Sequence, residues 1–186
     1  MTLLEEAIIF AVQAHNNQFR KGTNTPYILH PLEAAAIVAS MTDDLEIIAA
    51  AVLHDTMEDA HISLDEIADE FGERVADLVK SETENKREDL PAADTWLIRK
   101  QETIQHLSSE KDLAVKMVTL GDKLSNIRAI YRDYVALGDQ LWERFNQKDP
   151  HMHAWYYRAI ADATVELKHS PAWLEYSMLL EKVFSH

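Results

Sequence analysis

The sequence predicts an all-α fold, a single helical bundle of about ten helices, and three observations carry that prediction. Glycine and proline number 4 and 5 in 186 residues, less than half of the roughly 12% of average usage. The chain therefore lacks the turn-formers that a sandwich or barrel places at its strand ends. Capping-box spacing recurs at Thr2/Glu5, Asp43/Glu46 and Ser63/Glu66, where an N-cap side chain and the residue three later satisfy each other's free amides. Pro31, Pro91, Pro150 and Pro171 stand where helices begin, and Gly72 and Gly138 where they stop or turn.

Taken in order, these signals give helices over 3–18, 31–41, 44–58, 64–71, 73–83, 94–108, 111–131, 137–146, 151–168 and 171–184. Thr2 opens the first, Pro31 the second, Asp43 the third and Ser63 the fourth, which Gly72 divides from the fifth. The polar stretch RKGTNTPY from Arg20 to Tyr27 and the charged stretch SETENKREDLPAAD from Ser81 to Asp94 are the long connections. No repeat, low-complexity tract or linker divides the chain, so one domain is expected over 1–186. A composition of 47% hydrophobic and 27% charged residues suffices for an ordinary core.

Composition also excludes several functions. The chain has no cysteine, which removes disulfides, thiolate metal sites, iron–sulfur clusters and cysteine nucleophiles, and suits a reducing, cytoplasmic setting. Glu5 and Glu6 stand where a signal peptide needs positive charge, and the longest apolar run, Ile47 to Leu53, is too short to span a bilayer. No membrane partner is expected. A formal charge of −14 would repel a phosphate backbone at long range, so nucleic acid is not an expected partner either. A small polyanion could still bind where a metal and a few basic residues converge. A homo-oligomer is compatible with the sequence.

Chemistry concentrates after the apolar run. Ile47 to Leu53 is apolar on every face, which predicts a helix in the middle of the fold. It leads into His54, Asp55, Glu58 and Asp59. On a continuous helix these point at about 0°, 100°, 40° and 140°, one arc with an imidazole and three carboxylates. Carboxylates that close resist burial unless a cation compensates them, and a divalent metal does so economically. A His-Asp dipeptide alone says nothing, because nine His and 15 Asp in 186 residues supply about 0.7 by chance. The company decides: His30 in PYILHP precedes it, and Asp122 in AVKMVTLGDKLSNIRAI follows it. Four nitrogen and oxygen donors without sulfur suit an ion such as Mn²⁺ with positions left for water and substrate.

His30, His54-Asp55 and Asp122 match the HD-domain metal phosphohydrolases. The strings FRKGTNTPYILHP, AAAVLHDTMEDA, FGERVADLV and KMVTLGDKLSNIRAI further resemble the hydrolase domain of the RelA/SpoT alarmone enzymes, which remove the 3′-pyrophosphate of (p)ppGpp. With 186 residues the expected likeness is to the small, hydrolase-only members. The resemblance implies that His30, His54, Asp55 and Asp122 are metal ligands, usually for Mn²⁺. It implies that Glu58 and Asp59 position and activate the attacking water. It also implies that Arg20 and Lys21 contact the base, that Asn126 contacts the sugar and phosphate region, and that Lys123 matches a basic residue of that motif. NADPH 2′-phosphatase or adenosine alarmone hydrolase activity, or a non-catalytic nucleotide-binding module, are the alternatives. The chain departs from the family pattern after the FG helix, where the family's long enzymes usually carry Gly-Val-Thr and this chain reads Lys80-Ser81-Glu82-Thr83-Glu84-Asn85-Lys86, at Gly121, where Ala is commoner, and at Ala129, where Thr occurs.

Charge stabilisation is expected from Lys21, Lys123 and Arg128, in a reaction that needs mainly positioning and electrostatics. His151 and His153 resemble a metal clamp, but residues two apart point away from each other on a helix. Trp155, Tyr156 and Tyr157 read as packing residues. Lys80, Lys86 and Arg87 among Glu82, Glu84 and Glu88 read as a solvated face.

Overall fold

A computed structural model describes residues 1–87 and 89–185 of the chain, so Glu88 lies outside the described residues. Among them are ten α-helices: α1 (Leu3–Ala14), α2 (Leu29–Val38), α3 (Leu45–Leu53), α4 (Thr56–Ala60), α5 (Leu64–Phe71), α6 (Glu73–Glu82), α7 (Ala92–Ser109), α8 (Leu113–Leu137), α9 (Pro150–Ala163) and α10 (Pro171–Phe184). Two 3₁₀ helices, Gly138–Arg144 and Val165–Leu167, complete them. The all-α prediction holds, and one hydrophobic cluster runs from Ala7 to Val183. No helix among the described residues is long and apolar enough to cross a membrane.

The apolar run lies where its pattern places it. Each residue from Ile47 to Leu53 is at most 6% exposed, and α3 packs against α1, α2, α6 and α8. Burial of each large side chain here stabilises by roughly 1.5–3 kcal/mol, so the core fixes α3 more firmly than its propensity does. The long α8 lies along α2. A Cβ at Gly121 would meet Val38 Cγ2 at 2.7 Å and the Ala34 carbonyl oxygen at 2.9 Å, so the two helices approach more closely than a side chain allows. That approach sets His30, in the first turn of α2, against Asp122 on α8.

Several boundaries differ from the periodicity, each for a local reason. One helix over 44–58 is expected, but α3 ends at Leu53 and α4 begins at Thr56. The Thr56 hydroxyl donates to the Leu53 carbonyl at 2.7 Å, and His54 Nδ1 lies 2.8 Å from the Ala51 carbonyl. Side chains thus take the carbonyls that the next turn would have bonded, and His54 and Asp55 sit at a joint. The first helix ends at Ala14, and Asn17 behind it has φ 62°. The eighth runs on to Leu137 until Gly138, with φ 58°, ends it, and the helix expected over 137–146 is the 3₁₀ turn. The ninth stops at Ala163, where the Thr164 hydroxyl donates back to Ile160 O at 2.8 Å.

Candidate active site

Four elements bring the expected ligands together: α2 carries His30, the α3–α4 joint carries His54 and Asp55, and α8 carries Asp122. His30 Nε2 lies 3.1 Å from Asp122 Oδ1 and 3.4 Å from Asp55 Oδ2, and His54 Nε2 lies 3.7 Å and 3.0 Å from the same two oxygens. His30, His54 and Asp122 are buried, and each offers a ligand atom within 4.8 Å of the others. The joint changes the helical-wheel argument for Asp55: the kink, rather than a shared arc, turns its carboxylate toward both imidazoles.

Both rings present the same nitrogen inward, and the hydrogen bonds assign their tautomers. The Ala51 carbonyl can only accept, so His54 Nδ1 carries the proton. Ser125 donates its own proton to Glu33 Oε2 at 2.7 Å and therefore accepts from His30 Nδ1 at 2.8 Å. In the neutral ring each Nε2 keeps a lone pair for a metal, and His54 Nε2 is fully buried without a hydrogen-bond partner. An orphaned imidazole nitrogen among carboxylates is the donor set of a divalent metal, and the cluster fits one.

The charges are strongly coupled. Burial alone would push the Asp55 and Asp122 carboxyls up, yet both are held well below the usual range, Asp55 by His54 and His30 and Asp122 by Lys123 with the two histidines. Burial opposes charge on His54, but Asp55 and Asp122 raise it well above its ordinary value. The site therefore holds two ionised carboxylates, compensated by Lys123 and the imidazoles, in a donor set that suits a divalent cation.

Of the expected substrate residues, three converge directly. Asp122 accepts from Asn126 Nδ2 at 2.5 Å and from the Lys123 ammonium, and Arg20 Nη2 donates to Asn126 Oδ1 at 2.7 Å. Arg20 also lies over the Tyr27 ring, 5.6 Å from its centroid. Lys21 bonds Asn146 Oδ1 at 3.0 Å and lines the same recess of about 210 Å³ as Arg20, Tyr27, Arg144 and Phe145. Arg128 is a correction: it pairs with Glu33 at 3.1 Å and with both oxygens of Glu175 at 2.7 Å, so its charge is committed to holding α10.

Glu58 and Asp59 are gathered by Lys86, a lysine that its charged neighbours in sequence suggest is solvated. Lys86 Nζ lies 2.6 Å from Asp59 Oδ1, 3.4 Å from Glu58 Oε1 and 3.0 Å from the Glu58 carbonyl. Burial, followed by the Asp55 charge, raises the Glu58 carboxyl above its ordinary value. Glu84 is likewise committed, to Arg99 at 3.0 Å, Lys100 at 2.7 Å and Thr103 at 3.0 Å. The solvated-face reading is thus corrected for Lys86, Glu84 and Glu82 and holds for exposed Lys80, while Arg87 pairs with Glu102. Glu82 accepts from Thr119 at 2.5 Å, and burial pushes its carboxyl up to about 7. It lines a cavity of about 440 Å³ that Lys123 also borders.

Of the residues set aside, His153 is buried beside Trp96, Trp142 and Phe145 with Nε2 on the Gln147 carbonyl at 2.8 Å, and Tyr156 and Tyr157 are in the core, whereas His151 and Trp155 are exposed, so the packing expectation for Trp155 is corrected. Sequence reading missed Tyr27, Glu33, Ser125 and Arg144. Only Tyr27, three residues before His30, had a local signal.

Residues 7–149 match the HD domain. The chain is also 38% identical over 133 residues to the guanosine-3′,5′-bis(diphosphate) 3′-pyrophosphohydrolase MESH1 of Danio rerio, covering 70% of each. This chain belongs to the HD-domain family. The HD-domain chain is 37% identical over 128 residues to the guanosine-3′,5′-bis(diphosphate) 3′-pyrophosphohydrolase of Aquifex aeolicus, a match covering 69% of this chain but 18% of that protein. Among solved structures, a metazoan ortholog of SpoT that hydrolyses ppGpp superposes with a TM-score of 0.79 at 23% identity, over 98% of this chain and 96% of that one, and shows the shared fold. The protein lmo0812 of Listeria monocytogenes superposes with a TM-score of 0.74 at 30% identity, over 84% of this chain and 99% of that one.

Proposed function

We propose that this HD-domain chain is a metal-dependent hydrolase that removes the 3′-pyrophosphate of guanosine tetra- and pentaphosphate, releasing GDP or GTP and pyrophosphate. The observation that carries the reading is the single assembly formed by the His30–His54–Asp55–Asp122 cage, the Glu58–Asp59 pair on the helix that Asp55 opens, and the Arg20–Asn126 contact that reaches Asp122. In this reading residues 1–186 act as one cytoplasmic hydrolase domain, and a homo-oligomer is compatible with it.

His30, His54, Asp55 and Asp122 would hold one divalent ion, which we take to be Mn²⁺; such an ion supplies positive charge beside phosphoryl oxygens and acidifies water. The chain's own groups do the positioning. Glu58, its proton affinity raised by burial, is the base that takes the proton of the attacking water, with Asp59 orienting it and Lys86 holding both. Arg20 and Lys21 contact the base, Arg20 as a planar cation, Asn126 contacts the sugar and phosphate region, and Lys123 offsets charge beside Asp122. Water attacks the 3′ phosphorus nearest the sugar, the bond from that phosphorus to O3′ breaks, and O3′ leaves to become the product hydroxyl.

The test gives purified protein and Mn²⁺ a panel of ppGpp, ppApp, NADPH and deoxynucleotides and separates the products by chromatography. Equal amounts of GDP and intact pyrophosphate from ppGpp are expected. Orthophosphate from each nucleotide, or turnover of NADPH or ppApp alone, would replace this reading with a different nucleotide phosphatase. Binding without turnover of any member would indicate a nucleotide-binding module.

A further inference from the structure

We propose that Tyr27 is a positioning residue that fixes the Asp55 carboxylate with its hydroxyl and the Arg20 guanidinium with its ring, so that one side chain serves both the metal cage and the nucleotide recess. The proposal rests on the hydrolase reading for its nucleotide half and on the cage geometry alone for its metal half.

The two cage carboxylates are supported unequally. Asp122 receives Asn126 on one oxygen and Lys123 on the other. Asp55 caps α4 without a side-chain bond to its amides. Apart from the two imidazoles, the hydrogen bond its carboxylate has among the described residues is from the Tyr27 hydroxyl, at 2.7 Å on Oδ2. That is the oxygen nearest His54 Nε2, so the tyrosine sets the rotation of Asp55 toward the imidazoles. A partner of this kind on a ligating carboxylate typically governs metal affinity 10–100-fold.

The ring does the other half. Tyr27 is held at both ends of a loop, with its amide donating to Gln18 O at 2.9 Å and the Arg20 amide donating to Thr25 O at 2.8 Å. Its ring packs against His15 with centroids 5.0 Å apart and against the His30 ring at 5.8 Å. Arg20 lies over it and reaches Asn126, which in turn bonds Asp122. Arg20 therefore connects to both cage carboxylates, to Asp122 through Asn126 and to Asp55 through Tyr27.

Two substitutions separate the two halves. Tyr27→Phe keeps the ring and removes the hydroxyl; Mn²⁺ affinity, read by competition with a chelating dye on the full chain without nucleotide, should fall roughly 10–100-fold. At saturating Mn²⁺ its KM for ppGpp should stay within about twofold of the parent, because Arg20 keeps the ring it stacks on. Tyr27→Leu should lose metal affinity to the same degree and also raise KM. Unchanged Mn²⁺ affinity in Tyr27→Phe would overturn the metal half, and equal KM values in the Phe and Leu variants would overturn the nucleotide half. Far-ultraviolet circular dichroism in chelator should match the parent for both variants; a collapse there would assign Tyr27 to folding and overturn the proposal. Absence of ppGpp turnover in the parent would sink the hydrolase reading while the dye measurement still judged Tyr27.

Discussion

His30 and His54 present the same ring nitrogen to the same two carboxylates, yet they are held by different means. His54 leans on a backbone carbonyl of its own helix, three residues away. His30 leans on a chain of side chains: Ser125, then Glu33, then Arg128, which grips Glu175 on α10. The first support is local and cannot be removed by substituting another residue. The second spans 95 positions between Glu33 and Arg128 in one step and makes the orientation of His30 depend on how the last helix docks. One histidine is fixed by secondary structure and the other by tertiary structure, so the two should respond differently to mutation.

The strongest break removes what both share. Asp122→Ala takes away the carboxylate that both imidazoles face, and metal analysis should find the ion, about one equivalent per chain in the parent, lost together with activity, because the remaining ligands become unpaired neighbours. Full metal retention in that variant would refute the cage. The next substitution leaves both histidines alone. Glu58→Gln keeps the shape and removes the charge that accepts a proton, so kcat should fall by roughly 10² to 10⁴ with metal content unchanged. Parent-like turnover, or a loss explained by missing metal, would reassign Glu58.

The contrast between the histidines also separates what was legible in the sequence from what was not. That His30, His54, Asp55 and Asp122 would cluster could be read because few residue types suit hard divalent ions and because each follows or interrupts an apolar segment. The all-α class was legible for a similar reason, since caps such as Thr2/Glu5 and Ser63/Glu66 are local and both close as capping boxes. The joint at His54 was not, because periodicity counts apolar residues, whereas the break depends on Thr56 and His54 capturing carbonyls. Lys86 was misread because a charge run shows only its neighbours in sequence, and its partners Glu58 and Asp59 lie 28 and 27 positions away. Arg128 was misassigned for the same reason: its partner Glu175 is 47 positions distant.

Ser125→Ala sharpens the comparison directly. It deletes the hydroxyl between His30 and Glu33 and leaves the His54 support intact. Metal affinity should fall roughly 10–100-fold, the usual effect of removing the group that orients a ligating imidazole, and kcat at saturating Mn²⁺ should recover most of the parent value. Affinity equal to the parent would show that α2 alone orients His30 and that the relay is decoration on a site already fixed.

The smallest effect belongs to the far end of the relay. Arg128 and Glu175 form a bidentate pair, but each side chain is about one-third exposed, at 36% and 35%, and pairs in contact with solvent contribute only about 0.2–1 kcal/mol. Glu175→Gln keeps one oxygen for the guanidinium and removes the charge, so thermal stability should change by less than about 1 kcal/mol. The informative quantity is metal affinity. If Arg128 transmits the docking of α10 to Glu33, the variant should weaken Mn²⁺ binding by a factor smaller than Ser125→Ala does, and 0.5 M salt should reduce the difference between variant and parent, because an exposed pair is screened at that ionic strength. His54 supplies the internal control, since its anchor is a backbone carbonyl that neither salt nor Glu175 reaches. A Glu175→Gln protein that binds metal as weakly as Ser125→Ala would mean that the orientation of His30 is set by the position of α10 rather than by the hydroxyl beside it, and the relay would then have to be drawn from the last helix inward.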